Sequence, residues 1–166
     1  MLKEVQTIGS EWLLKPKNPT PKIAKKHKRR VAGEISEGEV SVALEELLAE
    51  PDSGVLKFFH TGKFDPLLDA SGTDFLISLK PMWIQGKDGH PEKIGSYGLT
   101  LQLQVKRSSR RGKSAIRIHY RKYPSVPALA IDGKGIPWIK KRIKNIIRRL
   151  FRGQTVIPLH YACRNR

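Results

Sequence analysis

Two residues apart in the segment "GLTLQLQVKRS" (98–108), Gln104 and Lys106 bring together an amide oxygen and an ammonium. Leu99, Leu101, Leu103 and Val105 take the alternate positions, the period-2 pattern of a half-buried β-strand. On such a strand Gln104 and Lys106 share one face, about 6.5–7 Å apart. Asp74 opens the preceding apolar run, "DFLISL", where a paired strand would carry its carboxylate beside them. An aspartate, an amide oxygen and a lysine at adjacent strand ends suit one Mg2+ (or Mn2+) and one water. Mg2+ takes hard oxygen ligands in octahedral geometry and keeps several waters. The ion lowers the pKa of a bound water and neutralises a phosphoryl oxygen, while an ammonium orients that water and stabilises a pentavalent transition state. The same alternation also describes the solvent face of an antiparallel strand, and Asp74 alone reads equally as a turn residue at a strand's entry.

The elements that must position these groups are legible from periodicity. Ser36 and Glu39 have capping-box spacing, which predicts a helix starting at Ser36. Val40, Leu44, Leu47 and Leu48 form its apolar stripe, and Pro51 and Gly54 end it. "VLKFFHT" (55–61) predicts a strand, 64–72 a turn-rich loop, and the run from Asp74 to at least Leu79 a second strand. "QGKDGHPEKIGS" reads as a loop of breakers before the Gln104 strand, which is antiparallel to its predecessor if the two form a hairpin. "SAIRIHYRKYP" alternates like a strand at Ile116, Ile118 and Tyr120, yet its place in the order suits a helix; both readings stay open. "VPALAI" (126–131) is a short buried strand. Gly135 and Pro137 open a helix with Ile139, Ile143, Ile146, Ile147 and Leu150 on one face and lysines and arginines around the rest, and Gly153 ends it. "TVIPLHY" reads as a closing edge strand. The whole predicts an α/β fold, a mixed β-sheet flanked by helices. Residues 15–30, with three prolines and a dense basic run, predict an extended arm, so the chain divides into a basic N-terminal arm over 1–32 and a single domain over 33–166.

"GTDFLISL" followed by "LQLQVKRS" resembles the PD-(D/E)XK nuclease superfamily, in the branch where glutamine replaces the acidic residue before X-Lys. Relatives in that superfamily include Holliday-junction resolvases and restriction endonucleases. The resemblance spans roughly residues 33 to 131. It implies an αβββαβ restriction-endonuclease-like core, here with an added C-terminal basic helix. It assigns Asp74 as the central metal aspartate, Gln104 as the second ligand and Lys106 as the motif lysine. The glutamate that the family often takes from its first helix corresponds to Glu37, three residues before Val40 and seven before Leu44. Asp69, in "DASGTD", is a further acid that the resemblance would place near the metal. The implied activity is Mg2+-dependent hydrolysis of DNA phosphodiesters, with Asp74, Glu37 and Gln104 holding the ion. Gln104 brings no charge, so metal affinity would lean on the two carboxylates. Members that cut both strands often act as homodimers.

The charge balance agrees with a polyanionic partner. There are 32 Lys+Arg against 15 Asp+Glu, a formal net charge of +17. Such a surplus repels itself and attracts a nucleic-acid backbone first and an anionic membrane second. Lys25, Lys26, Lys28, Arg29 and Arg30 in the arm, and Arg107, Arg110, Arg111 and Lys113 just past the motif, are the candidate phosphate contacts. The residues favour DNA by resemblance and do not separate it from RNA. A different class fits the same charge: a non-catalytic nucleic-acid-binding protein on the same fold, or a basic scaffold of a ribonucleoprotein particle. One cysteine, Cys163, rules out an internal disulfide. With no run of about 20 apolar residues and no apolar leader core, the expectation is a soluble cytoplasmic protein with no membrane partner. The scattered His60, His90, His119 and His160 show no metal-ligand spacing and receive no role.

Overall fold

The computed structural model describes residues 21–61, 67, 71–107, 112–131, 133 and 135–156; the side chains of 21–32, Arg107 and 112–114 lie outside that description. The first helix, α1 (Pro21–Ala49), carries Ser36, Val40, Ala43, Leu44 and Leu47 at helical spacing along one buried face. Its start corrects the capping-box expectation: Ser36 lies fifteen residues inside the helix and is buried on its inner face. The part of the expected extended arm that is described, residues 21–30, is helical as well. Lysine, arginine and alanine are strong helix formers, and Pro21 sits at the first helical position, where its missing N–H costs nothing. Leu48, expected on the stripe, is 38% exposed, and Ala43 takes the buried place. Pro51 stops the helix by disfavouring the α conformation of the residue before it. Gly54 then turns the chain at φ 80°, where a Cβ would meet Ile147 at 2.9 Å, so position and packing both demand glycine.

Strand β1 (Val55–His60) leads to β2 (Phe75–Leu79), which pairs antiparallel with it. A short hairpin of β3 (Met82–Gln85) and β4 (Pro91–Ile94) intervenes before β5 (Thr100–Arg107). The strand in "QGKDGHPEKIGS" corrects its reading as pure loop. β4 is exposed at Pro91, Glu92 and Lys93 and partly covered at Ile94, so it has no buried apolar alternation to betray it. Helix α2 (Gly112–Lys122) settles the ambiguous segment: His119 and Tyr120 are buried while Ile118 is largely exposed, a helical and not an alternating pattern. Then come β6 (Ala128–Ile131) and α3 (Ile136–Phe151), which starts after Gly135 at φ 81° with Pro137 in its first turn. Residues 155 and 156 of the expected closing strand are not in a strand, and 157–161 lie outside the described residues.

The result is mixed α/β: a four-stranded sheet in the order β1-β2-β5-β6, the small two-stranded sheet, and three helices among the described residues. β2 and β5 are antiparallel and β5 and β6 parallel, the β5–α2–β6 segment being the crossover that a parallel pair requires. Phe75, Ile77, Leu79, Leu101, Leu103, Val105, Leu129 and Ile131 share one sheet face and join the core with α1 and with Ile139, Ile143 and Ile147 of α3. Outside the core Lys140 bridges Glu46 at 2.8 Å and Glu50 at 2.6 Å, and Lys144 bridges Glu50, tying α3 to the end of α1. Those lysines hold the Glu50 carboxyl below its ordinary range. Among the described residues no helix is long and apolar enough to cross a membrane. Ile143 is fully enclosed, so Ile143→Ala should cost about 2–5 kcal/mol in chemical denaturation with no change in cooperativity.

Candidate active site

The site forms where β5 changes neighbour. Pairing with β2 runs up to Phe75 opposite Leu103, closed by the Asp74 N–H donating to the Leu103 carbonyl at 3.0 Å. From Gln104 onward β5 pairs with β6, starting with the Gln104 N–H on the Pro127 carbonyl at 3.0 Å. Alternate N–H groups of a strand point to opposite sides, so the Val105 N–H points toward the space that β2 has left. Asp74 fills it: its Oδ2 accepts the Val105 N–H at 2.6 Å and also the side-chain amide of Gln104. An ionised carboxylate only accepts, so Gln104 must turn its nitrogen to Asp74, leaving the amide oxygen on the other side. Asp74 and Gln104 are each 6% exposed. The polar face of this strand is therefore not simply a solvent face: Gln102 is exposed, Gln104 is buried and Lys106 is half-buried.

Glu37 comes from α1 to within electrostatic reach of Asp74. Its Oε2 accepts the His60 Nε2–H at 2.9 Å. His60, the last residue of β1, stacks on Phe75 with ring centroids 4.7 Å apart and 12° between planes. Beside it the Thr61 N–H donates to the Asp74 carbonyl at 2.8 Å, and the Thr61 hydroxyl donates to the Thr73 carbonyl. These bonds fix the approach to Asp74 from the β1 side. On the α2 side a Cβ at Gly72, whose φ is 76°, would collide with the Tyr123 ring, so only glycine lets α2 close over this turn.

Electrostatics tie the four expected residues together. Burial pushes the Asp74 carboxyl up from 3.8 to about 6; the Val105 N–H opposes this, Glu37 adds to it, and Lys106 and Gln104 lower it. Glu37 and Lys106 thus both act on Asp74 through space. Lys106 also acts on His119, whose imidazole is lowered by burial first and by that lysine last, against the raising effect of the Val126 carbonyl. His119 is 3% exposed, donates from Nε2 to the Val126 carbonyl at 2.8 Å, and keeps its Nδ1 buried without a hydrogen-bond partner among the described residues. Its ring packs between those of Tyr120 and Tyr123, at 5.1 and 5.4 Å. His60 and His119 are the residues that sequence reasoning passed over, because the contact of His60 is with a helix 23 residues away and that of His119 depends on the fold of the α2–β6 turn.

The remaining candidates are not all placed. Asp69, Arg110 and Arg111 lie outside the described residues, as do the side chains of Lys25, Lys26, Lys28, Arg29, Arg30, Arg107 and Lys113. Among the described residues no group of three or more His, Cys, Asp and Glu side chains is arranged to hold a metal ion. Two carboxylates and one amide oxygen are what this end of the sheet offers, all hard oxygen donors of the kind Mg2+ accepts while keeping its waters.

Asp74 should be a measurable burden on the fold. Its carboxyl binds a proton near pH 6 when folded and near 3.8 when unfolded, so the native state holds more protons between those values and loses stability as pH rises through them. Asp74→Asn keeps an oxygen for Val105 and Gln104 without the charge. In EDTA the variant should exceed the parent by about 1–3 kcal/mol at pH 7.5, and the gap should close toward pH 4. Urea denaturation across that range checks it; a variant less stable than the parent at pH 7.5 would refute the reading. No family model matches the chain, and neither the curated proteins nor the solved structures contain a match to it.

Proposed function

We propose that this protein is a Mg2+- or Mn2+-dependent nuclease that hydrolyses DNA phosphodiesters, built on an αβββαβ restriction-endonuclease-like core with the β3–β4 hairpin inserted. The observation that carries the reading is the buried Asp74–Gln104 hydrogen bond at the point where β5 changes partner, with Glu37 and Lys106 within electrostatic reach of Asp74. The element order from α1 to β6 agrees with the order the sequence resemblance implies, once the hairpin is set aside.

Glu37, Asp74 and the amide oxygen of Gln104 would hold the ion. When bound, the ion would supply a positive centre for a phosphoryl oxygen and for an attacking water. Asp74 is held in place by two hydrogen bonds on one oxygen, which limits its rotation before any ligand arrives. His60 restrains Glu37 in the same way. Lys106 brings a positive charge within electrostatic reach of Asp74, where an ammonium can orient water and offset charge developing on phosphorus-bound oxygens. His119, whose imidazole is pushed down by burial, lies within electrostatic reach of Lys106.

A second reading, a non-catalytic nucleic-acid binder on the same fold, is favoured by one observation: the residue in the second-ligand position is a neutral glutamine whose nitrogen is committed to Asp74. Plasmid and branched DNA incubated at low salt with Mg2+, Mn2+ or EDTA separate the two. The nuclease reading expects cleavage that EDTA abolishes and that Asp74→Asn and Lys106→Ala each reduce at least a hundredfold. It also expects Mn2+ to raise the melting temperature of the parent protein and to leave that of Asp74→Asn unchanged. Tight, salt-sensitive binding with no metal-dependent cleavage of any DNA or RNA would leave only the binder.

A further inference from the structure

Helix α1 carries its charges in two blocks. Residues 21–32 hold six lysines and arginines and no acid, whereas residues 33–49 hold five glutamates and no lysine or arginine. Both blocks oppose the helix dipole, which favours anions at the first turn and cations at the last. At the carboxyl end the conflict is offset within the fold, because Lys140 and Lys144 of α3 bridge Glu46 and the adjoining Glu50. The amino-terminal block contains no carboxylate of its own.

The spacing of that block is specific. Lys22, Lys25, Lys26, Arg29 and Arg30 follow i, i+3, i+4, i+7, i+8, which places all five on one helical face. Extending the same face along α1 gives Gly33, then Ser36 and Glu37, then Val40, Ala43, Leu44 and Leu47. The face that buries its apolar half against the sheet is thus the face that carries the cations, and the site carboxylate Glu37 stands at the change-over. At Gly33, on this face, a Cβ would find nothing described within 4 Å. The same helical phase continues amino-terminally from Gly33 into the lysine and arginine positions of the stripe.

We propose that the amino-terminal half of α1 is a duplex-binding rail that feeds the phosphodiester backbone into the site. The occupant is double-stranded nucleic acid: a repeating anion matches a repeating cation stripe, and a helix about 10–12 Å across fits a major groove about 12 Å wide. From Glu37 back to Lys26 and Lys22 is 11 to 15 residues, about 16–23 Å at 1.5 Å per residue. At roughly 3.4 Å per base pair the rail covers phosphates about five to seven base pairs to one side of the site. The placement relative to a scissile phosphate rests on the nuclease reading; the binding does not.

The test uses the full chain and a 30-base-pair duplex in EDTA, with affinity measured across 50–300 mM salt. Lys25→Gln/Lys26→Gln/Arg29→Gln/Arg30→Gln should flatten the slope of log affinity against log salt by about 3–4, at roughly 0.9 per phosphate contact, and weaken binding at least tenfold at 150 mM. Glutamine's helix propensity is close to that of lysine and arginine, and circular dichroism verifies that the fold is kept. Lys28 lies off the stripe, so Lys28→Gln should change the slope by less than half as much as Lys26→Gln, although both remove one charge. An unchanged slope in the quadruple variant, or equal effects of the two single variants, overturns the rail. So does displacement of the duplex from the protein by phosphatidylserine vesicles, with the quadruple variant losing vesicles and duplex alike. Cleavage by the parent protein in Mg2+ is scored separately, so a protein that binds through the rail and never cuts strikes the nuclease reading alone.

Discussion

The Val105 N–H is the constraint from which the site follows. A strand that exchanges an antiparallel neighbour for a parallel one leaves a backbone donor aimed where the first neighbour stops, and a buried donor left unpaired costs on the order of 1–3 kcal/mol. Here β2 ends its pairing at Phe75 and the Asp74 carboxylate takes the donor in place of a further strand residue. Open α/β sheets place ligands where strand connections part for a related reason: backbone groups and strand-end side chains meet there without a covering strand. The chain could have met the need with a neutral acceptor. An aspartate does it at the expense of burying a charge, and Glu37 nearby makes that charge still harder to hold.

That expense sets Asp74 apart from the ion pairs that brace this fold. Structural ion pairs in this fold behave differently: Glu50 is stabilised by two lysines, and its carboxyl is drawn down. Asp74 has Lys106 within reach, yet its carboxyl is driven up, since burial and Glu37 outweigh the lysine, the backbone donor and the amide together. A cation bound nearby would relieve a buried carboxylate that a second carboxylate raises further, which is what the metal-dependent proposal draws on. His60 belongs to the same arrangement. Its bond to Glu37 restrains that carboxylate at a slight exposure, and its stacking on Phe75 anchors it to the residue next to Asp74.

Parity made much of this legible. The alternation from Leu101 to Lys106 fixes which side chains look away from the core, and Asp74 has the phase to meet them once β2 and β5 pair. The helical stripe of α1 likewise pointed Glu37 toward the sheet. What periodicity could not reveal was tertiary. Nothing around His60 or His119 marks either as part of a site, since their partners lie 23 residues away on α1 or belong to the α2–β6 turn. The start of α1 was misplaced because three prolines and a basic run look like a linker, although only Pro21 falls within the helix and it stands at the one position that tolerates it. β4 stayed hidden because a two-stranded hairpin with an exposed, charged strand carries no alternation to read.

The placement of α1's start changes what the charge surplus means. Were residues 21–32 an unstructured arm, their cations would form a diffuse cloud, able to touch phosphates at any distance from Asp74 that the tether allowed. Held in a helix continuous with Glu37, they acquire a fixed spacing and a fixed face, and the distance from each to the site becomes a property of the backbone. An interaction that depends on net charge alone is indifferent to which lysine is removed; one that depends on a stripe is not. The same continuity has a structural consequence. Along one face of this helix the sequence changes from leucine and valine, buried against the sheet, to lysine and arginine on the amino-terminal side of Gly33. The boundary between them falls within about one turn of the carboxylate on which the site depends.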